Sequence, residues 1–290
     1  MKKTISTFLI LLTLSLCGCK NISQNPQIVA TTMPLFTFAT AICDGTELSV
    51  GQLIHDDVSC LHDYTLQINQ MRMLEGADIV IVNGAGLEDF LDDALNSAKM
   101  VIDSSAGIDT HCTGHDHAEH HGHDHNQDAH IWLSPTNAIT MAQNICKELC
   151  AQYPQHKTLF RSNLAILIEQ LEQLQAYGEE SLSSLGTREL ITFHDGFSYF
   201  ADSFDMHILY AIEEEAGSET SAAQLIELIK LVSEHKLSAI FTEKNGSAAS
   251  ANIVAAETDV AIFSLDMGIS NGDYFEVMYH NIDTVKEALG

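Results

Sequence analysis

The 290-residue chain is poor in basic residues, and this shortage excludes several classes of partner. Only 13 lysine and arginine residues stand against 40 aspartate and glutamate residues, which gives a formal net charge of −27. Such a surface repels nucleic acid and anionic lipid headgroups, and it attracts cations. The composition therefore predicts no nucleic-acid binding. It leaves open whether the acidic surface serves cation binding or solubility alone.

The N-terminal apolar run lacks the length needed to span a bilayer. Phe8–Leu16 (FLILLTLSL) follows two lysines and is shorter than the roughly 20 apolar residues of a transmembrane helix. This pattern is typical of a signal peptide, predicted here over residues 1–18. The LCGC that follows resembles a bacterial lipoprotein box and predicts an exported protein, anchored to the cell membrane by lipid on Cys19, with residues 19–26 as a tether. A generic secretory signal cut nearby is the alternative.

The cysteines lack the even count and rhythm of a disulfide scaffold. After the lipoprotein box their number is odd, and they stand at Cys43, Cys60, Cys112, Cys146 and Cys150. The last two lie four residues apart on a predicted helix, which is a poor geometry for a disulfide. Most of these cysteines are predicted to be small buried thiols.

From Ile28 onward, short β-branched runs alternate with helical patterns, which predicts α/β layers with parallel strands. Residues 154–185 differ, because their apolar side chains recur at steps of three and four in one continuous stripe. A helix of this length measures roughly 45 Å, more than one small domain needs. We therefore predict two α/β lobes, each a parallel sheet with flanking helices, at residues 27–153 and 186–290. One long rigid helix joins them and should permit only small lobe movements.

Four polar residues fall at strand ends or helix starts, where open parallel sheets bind ligands. His62 follows the strand LSVGQLI, and His130 precedes a helix that begins near Ser134. His194 ends the strand ELITF, and Asp266 ends the strand VAIFSL. Each has an ordinary explanation in packing or turn formation when it is taken singly. Their shared placement, two from each lobe, instead predicts one site in the cleft between the lobes.

Six separated motifs resemble the metal-binding solute-binding lipoproteins of bacterial ABC importers, the zinc and manganese (cluster A-I) family. They are HDYTLQINQMRMLEGADIVIVNGAGLE, DAHIWLSPTNAITMAQNI, ITFHDGFSYFA, ETSAAQLIELIK, IFTEKN and SLDMG. The resemblance implies one metal ion held between the lobes by His62, His130, His194 and Asp266. It also implies a binding protein rather than an enzyme, expected to be a monomer that delivers its ion to a membrane permease.

The sequence departs from the family's pattern around two of these ligands. Cys60-Leu61 stand where the family usually has Asp-Pro, and Asp-Ala-His replaces Asp-Pro-His at the second ligand. Cys60 thus becomes a candidate soft ligand, although neighbouring strand-end residues tend to point apart. Glu243, after IFT, is expected to be a surface carboxylate, and orientation of a ligand histidine is the alternative.

The predicted ligand set favours zinc as the bound ion. Three imidazoles and one carboxylate suit a borderline ion such as Zn²⁺, whereas oxygen-rich sites suit manganese. The family's manganese members resemble one another in having a glutamate at the third position, where this chain has His194. A manganese importer component stays an alternative. A zinc hydrolase is a second one, although the chain has no HExxH helix.

A histidine-rich loop, predicted over residues 109–128, precedes the second ligand and resembles the zinc branch of the family. The stretch HCTGHDHAEHHGHDH holds seven of the 15 histidines, at His111, His115, His117, His120, His121, His123 and His125. These imidazoles predict weak, interchangeable zinc sites, because a flexible loop loses conformational entropy when it binds. A solvated stretch without a required role is the alternative. We predict that the tight site survives deletion of residues 111–125.

Overall fold

The computed structural model describes residues 25–56, 58, 61, 64–110, 128–212 and 220–290, and these form two α/β lobes. The strands of the N-terminal lobe are β1 (Ile28–Ala30), β2 (Val50–Gln52), β3 (Ile79–Val82) and β4 (Val101–Asp103). Its helices are α1 (Met33–Cys43), α2 (Ile68–Gly76), α3 (Asp92–Leu95) and α4 (Pro135–Gln152). Helix α5 (Lys157–Ser181) then leads to the second lobe.

The C-terminal lobe repeats this alternation. Its strands are β5 (Glu189–Thr192), β6 (His207–Ala211), β7 (Ala239–Glu243) and β8 (Ala261–Leu265). Its helices are α6 (Ser198–Ser203), α7 (Ala222–His235), α8 (Ala249–Thr258) and α9 (Tyr274–Leu289). No helix in the parts of the chain given above combines the length and the apolar character that membrane crossing requires.

Both sheets are parallel and share one strand order. The first runs β2-β1-β3-β4 and the second β6-β5-β7-β8. In each sheet the second strand pairs on one side of the first strand and the third strand pairs on its other side. A crevice therefore opens at the carboxyl ends of the two central strands, β1 and β3 in the first sheet and β5 and β7 in the second. The predicted fold class, two lobes with parallel sheets and flanking helices, is confirmed.

Helix starts follow the local chemistry of the sequence. Ser134 caps α4 by accepting a hydrogen bond on its hydroxyl from the Asn137 N–H at 3.3 Å, and Pro135 occupies the first turn. Ser221 caps α7 in the same way and forms a capping box with Gln224. Such caps satisfy backbone donors that would otherwise have no partner within the helix.

Helix α5 packs the predicted apolar stripe into a core that both lobes share. Phe160, Leu167, Leu171 and Leu174 are buried, and Leu164 packs against the same core from a half-buried position. This core runs without a break from β1 and α1 through α4 and α5 to α6 and α9. Because buried apolar side chains on both sides depend on one another, the lobes form a single packed unit.

Hydrogen bonds between buried groups also join the two lobes. The indole N–H of Trp132 donates to the Met267 carbonyl at 2.8 Å, and the Tyr274 hydroxyl donates to the Trp132 carbonyl at 2.8 Å. The Met33 N–H donates to the Ile269 carbonyl, also at 2.8 Å. These bonds hold the turn before α4 and the start of α1 against the loop that follows β8 and the first residue of α9.

The described cysteines are thiols, as predicted. Cys43 and Cys146 are buried and Cys150 is half-buried. The sulfur atoms of Cys146 and Cys150 are 3.9 Å apart, which is about twice the length of a disulfide bond. Burial raises the pKa of the Cys43 and Cys146 thiols to about 12, so these groups stay protonated and unreactive at neutral pH.

Candidate metal site

His130 lies in the turn before α4, above the carboxyl edge of the first sheet. A short 3-10 turn, Ile131–Leu133, follows it directly. The side-chain amide of Asn83, the first residue after β3, donates to the Ala129 carbonyl at 2.9 Å. This bond fixes the turn over the crevice of the N-terminal sheet, and His130 is only 6% exposed there.

A buried carboxylate, Glu88, organises the strand ends beneath that turn. It accepts hydrogen bonds from the Thr31 hydroxyl at 2.6 Å and from the backbone N–H groups of Asn83 and Gly84 at 2.7 and 3.0 Å. Burial raises the pKa of Glu88 to about 7, although these hydrogen bonds act in the opposite direction. Because Asn83 also holds the turn described above, Glu88 supports the position of His130. This role was not predicted from the sequence, although the motif NGAGLE contains both Asn83 and Glu88.

Asp128 fixes the ring of His130. Its Oδ1 accepts hydrogen bonds from the Nδ1 of His130 at 2.8 Å and from the His130 backbone N–H at 2.9 Å, and its Oδ2 accepts one from the hydroxyl of Ser198 in α6. Burial raises the pKa of Asp128, but the hydrogen bonds from His130 and Ser198, together with the charge interaction with His130, outweigh burial, so the pKa lies below its ordinary value. A carboxylate can only accept. Nδ1 of His130 therefore carries the proton, and Nε2 is left to bind a metal.

His194 lies just after β5 and is in contact with a buried carboxylate from the neighbouring strand, β7. Its Nδ1 is 3.5 Å from Oε2 of Glu243, the last residue of β7. The side chain of Glu243 is 4% exposed, so the expectation of a surface carboxylate is wrong. All five residues of β7 are buried, because this strand is central in a sheet covered on both faces. A carboxylate beside Nδ1 favours the tautomer in which Nε2 can bind a metal.

The two imidazoles come from different lobes and meet face to edge. The ring centroids of His130 and His194 are 5.2 Å apart, with an angle of 89° between the ring planes. Gly196 lies against both rings. A Cβ atom at this position would be 2.8 Å from Cδ2 of His194, 2.9 Å from Cε1 of His130 and 2.6 Å from Cε of Met267. The absence of a side chain at Gly196 therefore allows the two rings to approach.

Substitution Gly196→Ala should weaken metal binding about ten- to a hundredfold, the range typical of changes that reorient ligand side chains. The backbone at this glycine does not have a positive φ, so the effect comes from contact with the two rings and not from strain. Competition titration against a chelating dye measures it. Gly186→Ala is the control, because a Cβ atom there would approach, among the described residues, the Leu289 carbonyl oxygen at 3.3 Å and neither ring. Equal affinity in both variants would contradict this geometry.

Asp266 follows β8 and lies beside Glu243 and Lys244 in one small pocket. Its Oδ2 is 2.8 Å from Nζ of Lys244, and its Oδ1 accepts the Gly268 N–H at 2.9 Å. Within the described residues, no group of three or more His, Cys, Asp or Glu side chains is arranged to hold a metal. The structure thus brings together two of the four predicted ligands, His130 and His194. The ligand role of Asp266 stays a prediction.

The remaining sequence predictions fall outside the described residues. These are His62, Cys60, Cys19 and the seven histidines of the histidine-rich stretch: His111, His115, His117, His120, His121, His123 and His125. Val58, four residues before His62, lines the pocket that contains Asp266. Leu61, the residue before His62, is 1% exposed and belongs to the shared core.

Known proteins match this chain over most of its length. The family profile described as "ZnuA: Zinc-uptake complex component A periplasmic" matches residues 28–288. A putative metal-binding protein of Treponema pallidum is 28% identical over 277 residues, covering 88% of this chain and 87% of that protein. The crystal structure of a zinc-bound ZnuA deletion mutant superposes with a TM-score of 0.78 and 29% sequence identity. The match covers 91% of this chain and 97% of the ZnuA chain.

A longer relative matches with one part of its sequence. The zinc-binding lipoprotein AdcA of Streptococcus pneumoniae is 29% identical over 311 residues, which cover 99% of this chain. They cover 61% of AdcA. The chain therefore spans about three fifths of that relative's length.

Proposed function

Because the chain belongs to the ZnuA family of zinc-uptake components, we propose that it is the extracytoplasmic zinc-binding component of an ABC importer. It captures Zn²⁺ and delivers the ion to a permease in the membrane. One observation carries this proposal: His130 and His194 meet from opposite lobes at 5.2 Å, and each has its Nδ1 directed at a buried carboxylate. This arrangement supports the binding of one ion in the cleft by the Nε2 atoms of both rings.

We assign the zinc site to His62, His130, His194 and Asp266. Three imidazole nitrogens and one carboxylate oxygen complete a tetrahedral shell, as Zn²⁺ prefers. His194 at the third position supports zinc over manganese, which favours oxygen ligands. The position of Val58 supports the inclusion of His62, because it brings the preceding chain to the pocket beside Asp266.

The protein acts by coordination and not by catalysis. A zinc hydrolase needs an open coordination position for water and a general base beside it. In the assigned site Asp266 takes the fourth position. Of the described residues, the two carboxylates nearest the imidazoles, Asp128 and Glu243, are directed at their Nδ1 atoms. These carboxylates orient the ligands and fix the tautomer that binds zinc.

We further propose that the protein is a monomer anchored to the outer face of the cell membrane by lipid on Cys19. The signal-like run and the LCGC box support this anchor. The histidine-rich stretch collects zinc near the cleft at weak sites, in keeping with its seven imidazoles and its acidic residues. Delivery then depends on the tight site alone.

Competition between zinc and manganese tests this function. We expect the full chain, purified in detergent, to retain one tightly bound zinc ion per molecule when both metals are offered at equal concentration. The reason is that imidazole ligands bind zinc more strongly than manganese. Gel filtration with a weak chelator removes metal from the histidine-rich stretch. Elemental analysis then gives the number of tightly bound zinc and manganese ions per molecule. Retention of manganese in preference to zinc would contradict the assignment.

A further inference from the structure

The backbone of Asp266 is held rigidly, and only one of its carboxylate oxygens can change partner easily. The Asp266 N–H donates to Oδ1 of Asn281 at 2.9 Å, and Nδ2 of Asn281 donates to the Asp266 carbonyl at 2.8 Å. Asn281 itself is fully buried. The Gly268 N–H donates to Oδ1 of Asp266 from the same turn. Oδ2 is the oxygen that faces Lys244.

Strand pairing brings Lys244 to this carboxylate. Strands β7 and β8 are parallel neighbours with Glu243 opposite Leu265, so the next residues along each strand, Lys244 and Asp266, also lie side by side. The Lys244 N–H donates to the Leu265 carbonyl at 2.8 Å, and Nζ of Lys244 reaches Oδ2 of Asp266 at 2.8 Å. The ammonium group thus contacts Oδ2, the Asp266 oxygen that the Gly268 N–H does not bind.

The two partners differ in their exposure to water. The side chain of Asp266 is 14% exposed, whereas that of Lys244 is 62% exposed. A mostly buried carboxylate needs a compensating charge, because burial of an unpaired charge is costly. A mostly exposed ammonium group loses little when it returns to water, since exposed ion pairs contribute little to stability. Loss of the ion pair would therefore cost free energy at Asp266, whereas it would cost little at Lys244.

We propose that Lys244 is a placeholder cation, whose ammonium group holds Asp266 in the metal-free protein and yields the carboxylate to the incoming zinc ion. This inference rests on the proposed function, and in particular on Asp266 as a zinc ligand. Zinc capture is then an exchange of one cation for another at a fixed carboxylate. The same exchange assists release, because Lys244 recaptures Asp266 as the ion leaves.

Removal of Lys244 should therefore tighten zinc binding and slow zinc release. We expect Lys244→Gln to raise zinc affinity roughly fivefold, the ratio that corresponds to the upper range for exposed ion pairs, mainly through slower dissociation into a chelating dye. Lys244→Arg keeps the charge and the pairing, so its affinity should stay close to that of the unchanged chain. Lys230→Gln is the matched control, because Lys230 pairs with Glu234 within α7. All variants are measured in the full chain in detergent.

The double variant with Asp266→Asn separates a direct exchange from a general charge effect. If Lys244 acts through Asp266, Lys244→Gln should have no effect on affinity in the Asp266→Asn background. The same tightening in both backgrounds would indicate long-range charge and overturn the proposal, as would unchanged or weaker binding in Lys244→Gln alone. Unchanged affinity in Asp266→Asn alone would instead refute Asp266 as a ligand, and with it the assigned zinc site.

Discussion

Replacement of His130 by alanine should lower zinc affinity by more than about a hundredfold, since loss of a ligand must exceed the ten- to hundredfold cost of losing the group that orients it. His130 contributes one of the two imidazole rings that meet between the lobes, and its Nδ1 lies 2.8 Å from Oδ1 of Asp128. Without it the ion loses a ligand, and Asp128 keeps only the hydrogen bonds from the residue 130 backbone N–H and the Ser198 hydroxyl. Competition titration with a chelating dye measures the change.

Two comparisons make the His130→Ala result specific. Deletion of residues 111–125 should leave the tight site at nearly full affinity, because this stretch is assigned only weak sites. His280→Ala, a change at an exposed histidine of α9, should have no effect. Circular dichroism of each metal-free variant checks that it is folded. A tight site that survives His130→Ala, or one that disappears with the deletion, would refute the assignment.

Replacement of Trp132 by alanine should destabilise the metal-free protein by about 3–5 kcal/mol, the usual cost of removing a large aromatic side chain from a core. Trp132 is 1% exposed, and its indole N–H bonds to the carbonyl of Met267 in the opposite lobe. Both the packing and this bond across the lobes are lost. Denaturant unfolding, followed by circular dichroism, gives the change in the free energy of unfolding.

Two further substitutions, one conservative at Trp132 and one far from it, serve as comparisons for the loss of unfolding free energy in Trp132→Ala. Trp132→Phe retains most of the apolar area but leaves the Met267 carbonyl without its donor, so about 1–3 kcal/mol should be lost. Leu159→Ala, on a partly exposed position of α5, should cost less than about 1 kcal/mol. The unchanged chain should unfold in one cooperative step, because the lobes share a core. Two separate transitions would contradict this picture and the small lobe movements expected from the linking helix.

Local sequence patterns were sufficient to predict the layers of the fold. β-branched runs and the apolar stripe of residues 154–185 are properties of neighbouring residues, and the helix predicted to begin near Ser134 starts at Pro135. The preference of open parallel sheets for ligands at the carboxyl ends of their strands also predicted that His130 and His194 lie near one site. The predicted division at residues 153 and 185 stays a prediction.

The residues that hold the site together could not be predicted from local pattern. Trp132 bonds to a residue 135 positions away, and Ser198 bonds to Asp128 from 70 positions away. Such contacts depend on how the lobes pack, which periodicity does not encode. The prediction that Glu243 is a surface carboxylate was wrong for a related reason. A polar residue at the end of a strand is predicted to be exposed unless the neighbouring strand and its histidine are known. The Lys244–Asp266 pair depends on strand register in the same way.

Anomalous diffraction at the zinc edge, from crystals of the full chain loaded with one equivalent of zinc, shows directly whether one ion binds between the lobes. We expect one strong peak between the lobes, with Nε2 of His130 and His194 and a third imidazole nitrogen from His62 at about 2.0–2.1 Å, and an oxygen of Asp266 at about 2.0–2.2 Å. Nζ of Lys244 should then lie away from Asp266. A peak confined to the histidine-rich stretch, or one bound by neither His130 nor His194, would contradict the account.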